Sequence, residues 1–203
     1  MGAGTFASIA VNMKQMAAME TDEELMERAR RGCRDSFAAI YQRHAGRVYR
    51  FAVQLTGKTT AAEEITQEVF LALLAALGSY DVRRGALVSY LLGVARNQTY
   101  RKLRLDRPGV ELEEDCAAGA ASAESELVRL SDVAWLRRAI AQLPPAFREV
   151  VVLCELEEMD YAQAAQVLGI PIGTVRSRLH RARGQLIEQW RVSTARAGER
   201  VGK

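Results

Sequence analysis

Cysteine and histidine are too few and too scattered in this chain to build a framework. Cys33, Cys116 and Cys154 lie far apart, and His44 and His180 form no ligand pattern with them. Neither a disulfide framework nor a zinc site is expected, and the composition fits a reducing, cytoplasmic setting. Long apolar runs are missing too: no stretch approaches the ~20 apolar residues of a membrane helix. The short run Phe6 to Val11 has no basic region before it, and Phe6 stands where a myristoylated terminus needs Ser or Thr. No membrane insertion is expected. There is also no nucleophile–base pair, metal cluster or phosphate loop, so no catalytic residue, metal ligand or cofactor is assigned and the chain is not expected to be an enzyme.

Aromatics supply only 6% of the 203 residues, whereas Ala, Leu, Arg, Glu and Gln abound, a mixture that favours helix over strand. The length suits two small domains, each with a modest core. A formal net charge of +3 says little, but its distribution is uneven. From Leu87 to Arg104, Arg96, Arg101, Lys102 and Arg104 face no acid, a local charge of +4. From Asp106 to Glu126, seven acids oppose Arg107 alone, giving −6, and from Pro171 onward eight bases oppose Glu188 and Glu199, giving +6. Two basic blocks flanking an acidic one suggest two polyanion-binding surfaces joined by a segment unsuited to DNA.

Periodicity then places the elements. Thr21 and Glu24 have capping-box spacing before a short helix ending near Gly32. A second helix from about Asp35 to Gly57 carries Phe37, Ile40, Tyr41, His44, Val48, Phe51, Ala52 and Leu55 on one stripe, which makes His44 a core residue rather than a ligand. Thr60 and Glu63 repeat the capping-box spacing before a third helix with Ile65, Val69, Phe70, Leu73 and Leu77 inward. Leu87, Leu91, Val94 and Ala95 mark a fourth, whose later turns carry the first basic block. Residues 106–126 combine Pro108, Gly109, Gly119 and the acids and read as a flexible acidic linker. Helical signals resume near Leu127 and stop at Pro144-Pro145, where Pro145 can open a new helix.

The segment DYAQAAQVLGIPIGTVRSRLHRARGQL, Asp160 to Leu186, has the marks of a helix-turn-helix. Ala165 is small where two helices approach, Gly169 can take positive φ, and Pro171 stops the first helix. In the second helix Val175, Leu179, Ala182 and Leu186 form a buried face. Gly173, Ser177, His180 and Gly184 point nearly opposite, flanked by Thr174 and Arg181, which is the face available to a major groove. Arg can pair with guanine and Ser or Thr with bases or phosphates, while Arg176, Arg178 and Arg183 at the sides suit the backbone.

The run GIPIGTVRSRLHRAR (Gly169 to Arg183), preceded by LPPAFREVVVL (Leu143 to Leu153), resembles the promoter-reading helix-turn-helix of extracytoplasmic-function (ECF) sigma factors of the sigma-70 superfamily. In the other half, AEEITQEVF (Ala62 to Phe70) resembles that family's polymerase-binding helix and YLLGVARN (Tyr90 to Asn97) its promoter-melting helix. The resemblance covers about Asp22 to Trp190. It implies an all-α chain of two small helical domains joined by the acidic linker: an extension over 1–20, a polymerase-binding and minus-ten domain over 21–105, the linker over 106–126, a minus-35 domain over 127–190 ending in the helix-turn-helix, and a basic tail over 191–203.

It further implies that Glu63, Glu64, Gln67 and Glu68 face the clamp of the largest subunit of core RNA polymerase. Ser79, Tyr80, Asp81, Arg83 and Arg84 should pocket a minus-ten base with Tyr90, while Arg96, Asn97, Arg101 and Arg104 follow the strand backbone. Gly173, Thr174, Arg176, Ser177, Arg178, His180, Arg181 and Arg183 would meet the minus-35 duplex. An anti-sigma factor is implied as a further partner, and the linker would lie in polymerase's basic channel. Glu64 and Tyr90 stand where the family commonly has Asp and Trp, and Gln163-Ala164 replaces a frequent Glu-Ile pair. A helix-turn-helix regulator that acts without polymerase is the rival reading; it leaves Ala62 to Phe70 unexplained.

Overall fold

The computed structural model describes residues 20–81, 85–105 and 123–201, with side chains described over 20–81, 85–104 and 132–194. Helices account for all of the regular structure among the described residues. They run α1 (Asp22–Arg30), α2 (Arg34–Thr56), α3 (Thr59–Ala76), α4 (Leu87–Leu105), α5 (Ala123–Gln142), α6 (Pro145–Val151), a π-helical turn (Val152–Leu156), α7 (Tyr161–Leu168) and α8 (Ile172–Val201).

Local chemistry sets most boundaries. Thr21 and Glu24 close a reciprocal capping box on α1, and acids in its first turn and bases in its last match the helix dipole. Gly57 ends α2 at φ 71°, a conformation that costs an L-residue about 1–2 kcal/mol. The expected capping box at Thr60 does not form: α3 starts at Thr59 behind an extended Lys58. No side chain caps α3; in the turn before it the Thr56 hydroxyl accepts from the Lys58 amide at 3.2 Å. α5 begins at Ala123, ahead of the expected Leu127, and Pro145 opens α6 as expected. α8 continues to Val201, so the residues set apart as a basic tail prolong the recognition helix. The extension over 1–19 and the linker from 106 to 122, with Cys116, lie outside the described residues.

α2 is the hub of the first half, packed by α1, α3 and α4, while α6 and α7 pack against α8 in the second. Ile40, Phe51, Ile65, Leu73 and Leu91 are almost wholly buried, each worth about 1.5–3 kcal/mol of burial. His44 is buried as expected, with Nε2 2.9 Å from Asp22 Oδ2. Burial alone would raise the Asp22 carboxyl, but hydrogen bonds and charges from His44 and Arg43 outweigh it and hold the group below its ordinary range.

The two halves also pack on each other. α4 lies against α7, and the apolar core is continuous across the join. Arg148 of α6 donates to the Leu55 carbonyl at the end of α2 at 3.3 Å and to the Leu143 carbonyl after α5 at 3.2 Å, satisfying carbonyls that helix ends leave open. This closure positions both basic surfaces.

Candidate nucleic-acid interface

The helix-turn-helix is built by its own sequence. Asp160 caps α7 and Gln163 returns the hydrogen bond to the Asp160 amide, completing a capping box; the Gln at a position where Glu is frequent keeps the same chemistry. Ala164 beside it is fully buried. Gly169 takes φ 66° and ends α7, and α8 starts after Pro171. Val175, Leu179 and Ala182 are buried at 0%, 2% and 0% exposure, which fixes the opposite face outward. Gly173, Arg176, Ser177, His180, Arg181, Arg183 and Gly184 are exposed, with Thr174 and Arg178 half-buried.

Two of these arginines are held in place. The Arg176 guanidinium lies 5.7 Å from the Tyr161 ring centroid, and Arg183 Nε donates to Glu155 Oε1 at 3.0 Å. Trp135 and Trp190 meet edge to face at 4.7 Å, joining α5 to the later turns of α8.

The second basic surface lies on α4. Arg96, Asn97, Tyr100, Arg101 and Arg104 line an open cleft of about 580 Å³. Arg96 sits 5.3 Å from the Tyr100 ring centroid, and burial together with the Glu149 charge pushes the Tyr100 hydroxyl up to about 12, so it stays a neutral donor. In the loop before α4, Ser79 and Asp81 are exposed. Tyr80 is buried instead, its ring edge-on to Tyr90 at 5.2 Å and its hydroxyl donating to the Gly85 carbonyl at 3.2 Å, so it shapes the loop from below. Arg83 and Arg84 lie outside the described residues.

On α3, Ile65, Val69 and Leu73 are fully buried, which turns Glu63, Glu64 and Gln67 to solvent and leaves Glu68 partly exposed. Leu71 and Leu74 are also exposed on this helix, at 63% and 50%. Glu68 pairs with Arg101 at 3.0 Å and Glu64 pairs with Lys102, so the acidic surface of α3 and the basic surface of α4 touch.

Sequence reading missed the acids between the halves. Glu149 of α6 is 2% exposed, and its carboxylate accepts from Arg96 through Nε and through Nη2 at 3.5 Å. Glu157 is 6% exposed; Arg47 Nε donates to it at 2.9 Å, Arg50 Nε lies 3.5 Å away, and Arg47 also reaches its carbonyl. Burial raises the Glu157 carboxyl, and the two arginines offset only part of that rise. The sequence carries at most a weak signal for Glu149, which adjoins the apolar run Val150 to Cys154, and none for Glu157, which stands among Glu155, Glu158 and Asp160.

A helix-turn-helix with an open basic recognition face, joined to a helical unit with a second basic cleft, has the form of a nucleic-acid-binding protein. The Sigma-70 region 2 family matches residues 40–107 and the Sigma-70 region 4 family residues 134–186. The sigma factor CarQ of Myxococcus xanthus is 32% identical over 80% of this chain and 94% of its own length. SigW of Bacillus subtilis, an ECF sigma factor, is 28% identical over 82% of this chain and 95% of its own. Among solved structures, CnrH in complex with the cytosolic domain of CnrY superposes with a TM-score of 0.67 at 24% identity, covering 85% of this chain and 99% of that one. RpoE of Bartonella quintana, solved with the anti-sigma factor NepR, gives 0.62 at 26% identity, covering 77% and 97%. The chain belongs to the sigma-70 family of RNA polymerase sigma factors, within its ECF group. Members of this family are transcription initiation factors rather than enzymes, and no described helix is long and apolar enough to cross a membrane.

Proposed function

We propose that this chain docks core RNA polymerase through Glu63, Glu64, Gln67 and Glu68 on α3, reads the minus-35 duplex with α8, and binds the melted minus-ten strand along the α4 cleft. The observation that carries this reading is the joint presence of two outward basic surfaces and one outward acidic helix on a fold matched by both sigma-70 regions. On α8, Ser177, His180 and Arg181 suit base edges, while Arg176, Arg178 and Arg183 suit phosphates. On α4, Arg96, Asn97, Arg101 and Arg104 suit a strand backbone, and Tyr90 with Ser79, Asp81, Arg83 and Arg84 suits an unstacked base held over Tyr80.

The chain does no chemistry of its own on this reading and works in the cytoplasm, where polymerase and promoter are. The domain division of 21–105 and 127–190, joined by an acidic linker that lies in a basic channel of polymerase, belongs to the same proposal. So does an antagonist partner, by analogy with RpoE and NepR. Run-off transcription with reconstituted core enzyme tests the whole: promoter-specific product that requires the chain supports it, and duplex binding without polymerase association returns it to a regulator.

A further inference from the structure

The last carbonyls of a helix have no partner within it, and at the end of α3 a partner comes from α1. Arg30 Nε donates to the Leu77 carbonyl at 2.7 Å, and Nη2 of the same guanidinium donates to the Tyr80 carbonyl. Nη1 lies 3.4 Å from Glu27 Oε2, so all three nitrogens are engaged. Arg31 beside it does what a helix-surface arginine ordinarily does and pairs with Glu27 at 2.9 Å. Arg30 has the same acid in reach, yet two of its nitrogens go to carbonyls 47 and 50 positions along the chain. A guanidinium is planar and its donors keep a fixed geometry, so holding Leu77 and Tyr80 together sets how the chain leaves α3. The Tyr80 carbonyl shares a planar peptide unit with the Asp81 amide, and it therefore sets the direction in which Asp81 departs. Tyr80 passes the restraint on, its ring edge-on to Tyr90 at 5.2 Å and its hydroxyl on the Gly85 carbonyl at 3.2 Å.

We propose that Arg30 is a positioning residue for minus-ten recognition: from α1 it fixes the backbone at Leu77 and Tyr80, and through Tyr80 it sets Tyr90 and Gly85 beside the place of an unstacked base. The proposal rests on the reading of that loop as the base-holding surface. Arg30 acts through the backbone and meets no base. Drawing a base out of its stack costs unstacking energy, and a loop that had to be ordered in the same step would add an entropic cost of its own. A loop tied beforehand at Leu77, Tyr80 and Gly85 avoids the second cost, and it presents the same geometry to every base, so that a wrong base is met by a surface that does not adapt.

Holoenzyme assembled from the full chain and core RNA polymerase tests this on a selected promoter and on every single-base variant of its minus-ten and minus-35 elements, read as competitive run-off product. R30M keeps the length of the side chain and removes its donors. It should lower discrimination across the minus-ten variants about fivefold or more, the lower end of what one good base contact supplies, and leave discrimination across the minus-35 variants unchanged. A uniform loss of product with both profiles intact would overturn the proposal, because a phosphate contact by Arg30 itself, or lost stability, carries no sequence information. Flattening of both profiles together would overturn it as well, since that marks a general loosening of the chain. Y90A separates the proposal from the reading beneath it. If Y90A flattens the minus-ten profile and R30M does not, the loop reads the base and Arg30 has no part in setting it. If neither changes that profile, the reading of the loop fails and the proposal with it. Should R30M fail to fold, R30K keeps the charge without the planar fork, and the same panels decide: a minus-ten profile identical to wild type overturns the positioning role.

Discussion

Leu179→Ala and Arg181→Ala sit two residues apart on α8, yet the structure assigns them opposite effects. Leu179 is 2% exposed among Val175, Ala182 and the core, so truncation leaves a cavity and should cost about 2–5 kcal/mol. Against a total stability of about 5–15 kcal/mol that is a large fraction. At roughly 2–4 °C per kcal/mol for a chain of this size, the melting temperature should fall by about 4–20 °C. Arg181 is exposed and has no structural partner to lose by truncation, so its substitution should stay within about 0.5 kcal/mol of wild type. Its effect should fall on DNA: loss of a base contact worth about 1–3 kcal/mol, and a changed preference on a panel of minus-35 variants. Arg183→Ala should instead weaken binding evenly across the panel, since it suits a phosphate and is already shared with Glu155. Thermal unfolding by circular dichroism and competition binding read the two axes separately. Equal loss of stability in Leu179→Ala and Arg181→Ala, or an unaltered preference profile for Arg181→Ala, would refute the assigned orientation of the helix.

Reversing Glu64 and Glu68 to Lys should impair association with core polymerase while leaving helical content unchanged, because both project from a helix whose core face is intact; unchanged affinity in a pull-down titration would move the interface elsewhere. Gly169→Ala should cost about 1–2 kcal/mol from backbone strain alone, since φ is 66° and no atom lies within 4 Å of the new methyl, and equal melting temperatures would contradict that. Asp22 is held below its ordinary value of 3.8, so its contribution is complete above that pH and is lost as pH falls through the lower folded value. Asp22→Asn should therefore lower stability at neutral pH and flatten the acid limb of a melting-temperature profile; parallel profiles would contradict this.

The helices and the helix-turn-helix were legible because their signals are local. The stripe at Ile65, Val69 and Leu73, the Gly169 turn and the Val175, Leu179, Ala182 face each follow from spacing within one element. Thr60 shows that capping-box spacing is not sufficient: α3 begins one residue earlier, at Thr59, which places Thr60 inside the first turn rather than at the cap. The join between the halves was not legible. Glu149 and Glu157 are ordinary acids in sequence, and their burial is created only when Arg96 and Arg47, 53 and 110 positions away, arrive in space. Tyr80 is a similar case: proximity to the strand surface was readable from the motif, but its inward direction depends on Gly85 and Tyr90.

The measurement that bears most directly on the function is promoter-specific initiation by a holoenzyme assembled from this chain and core RNA polymerase, on templates selected by that holoenzyme from random fragments. Run-off product should depend on the chain, be lost when Glu64 and Glu68 are reversed, and change promoter preference with Arg181→Ala. Selected templates that yield no product above core enzyme alone, or product unaffected by both sets of substitutions, would contradict it.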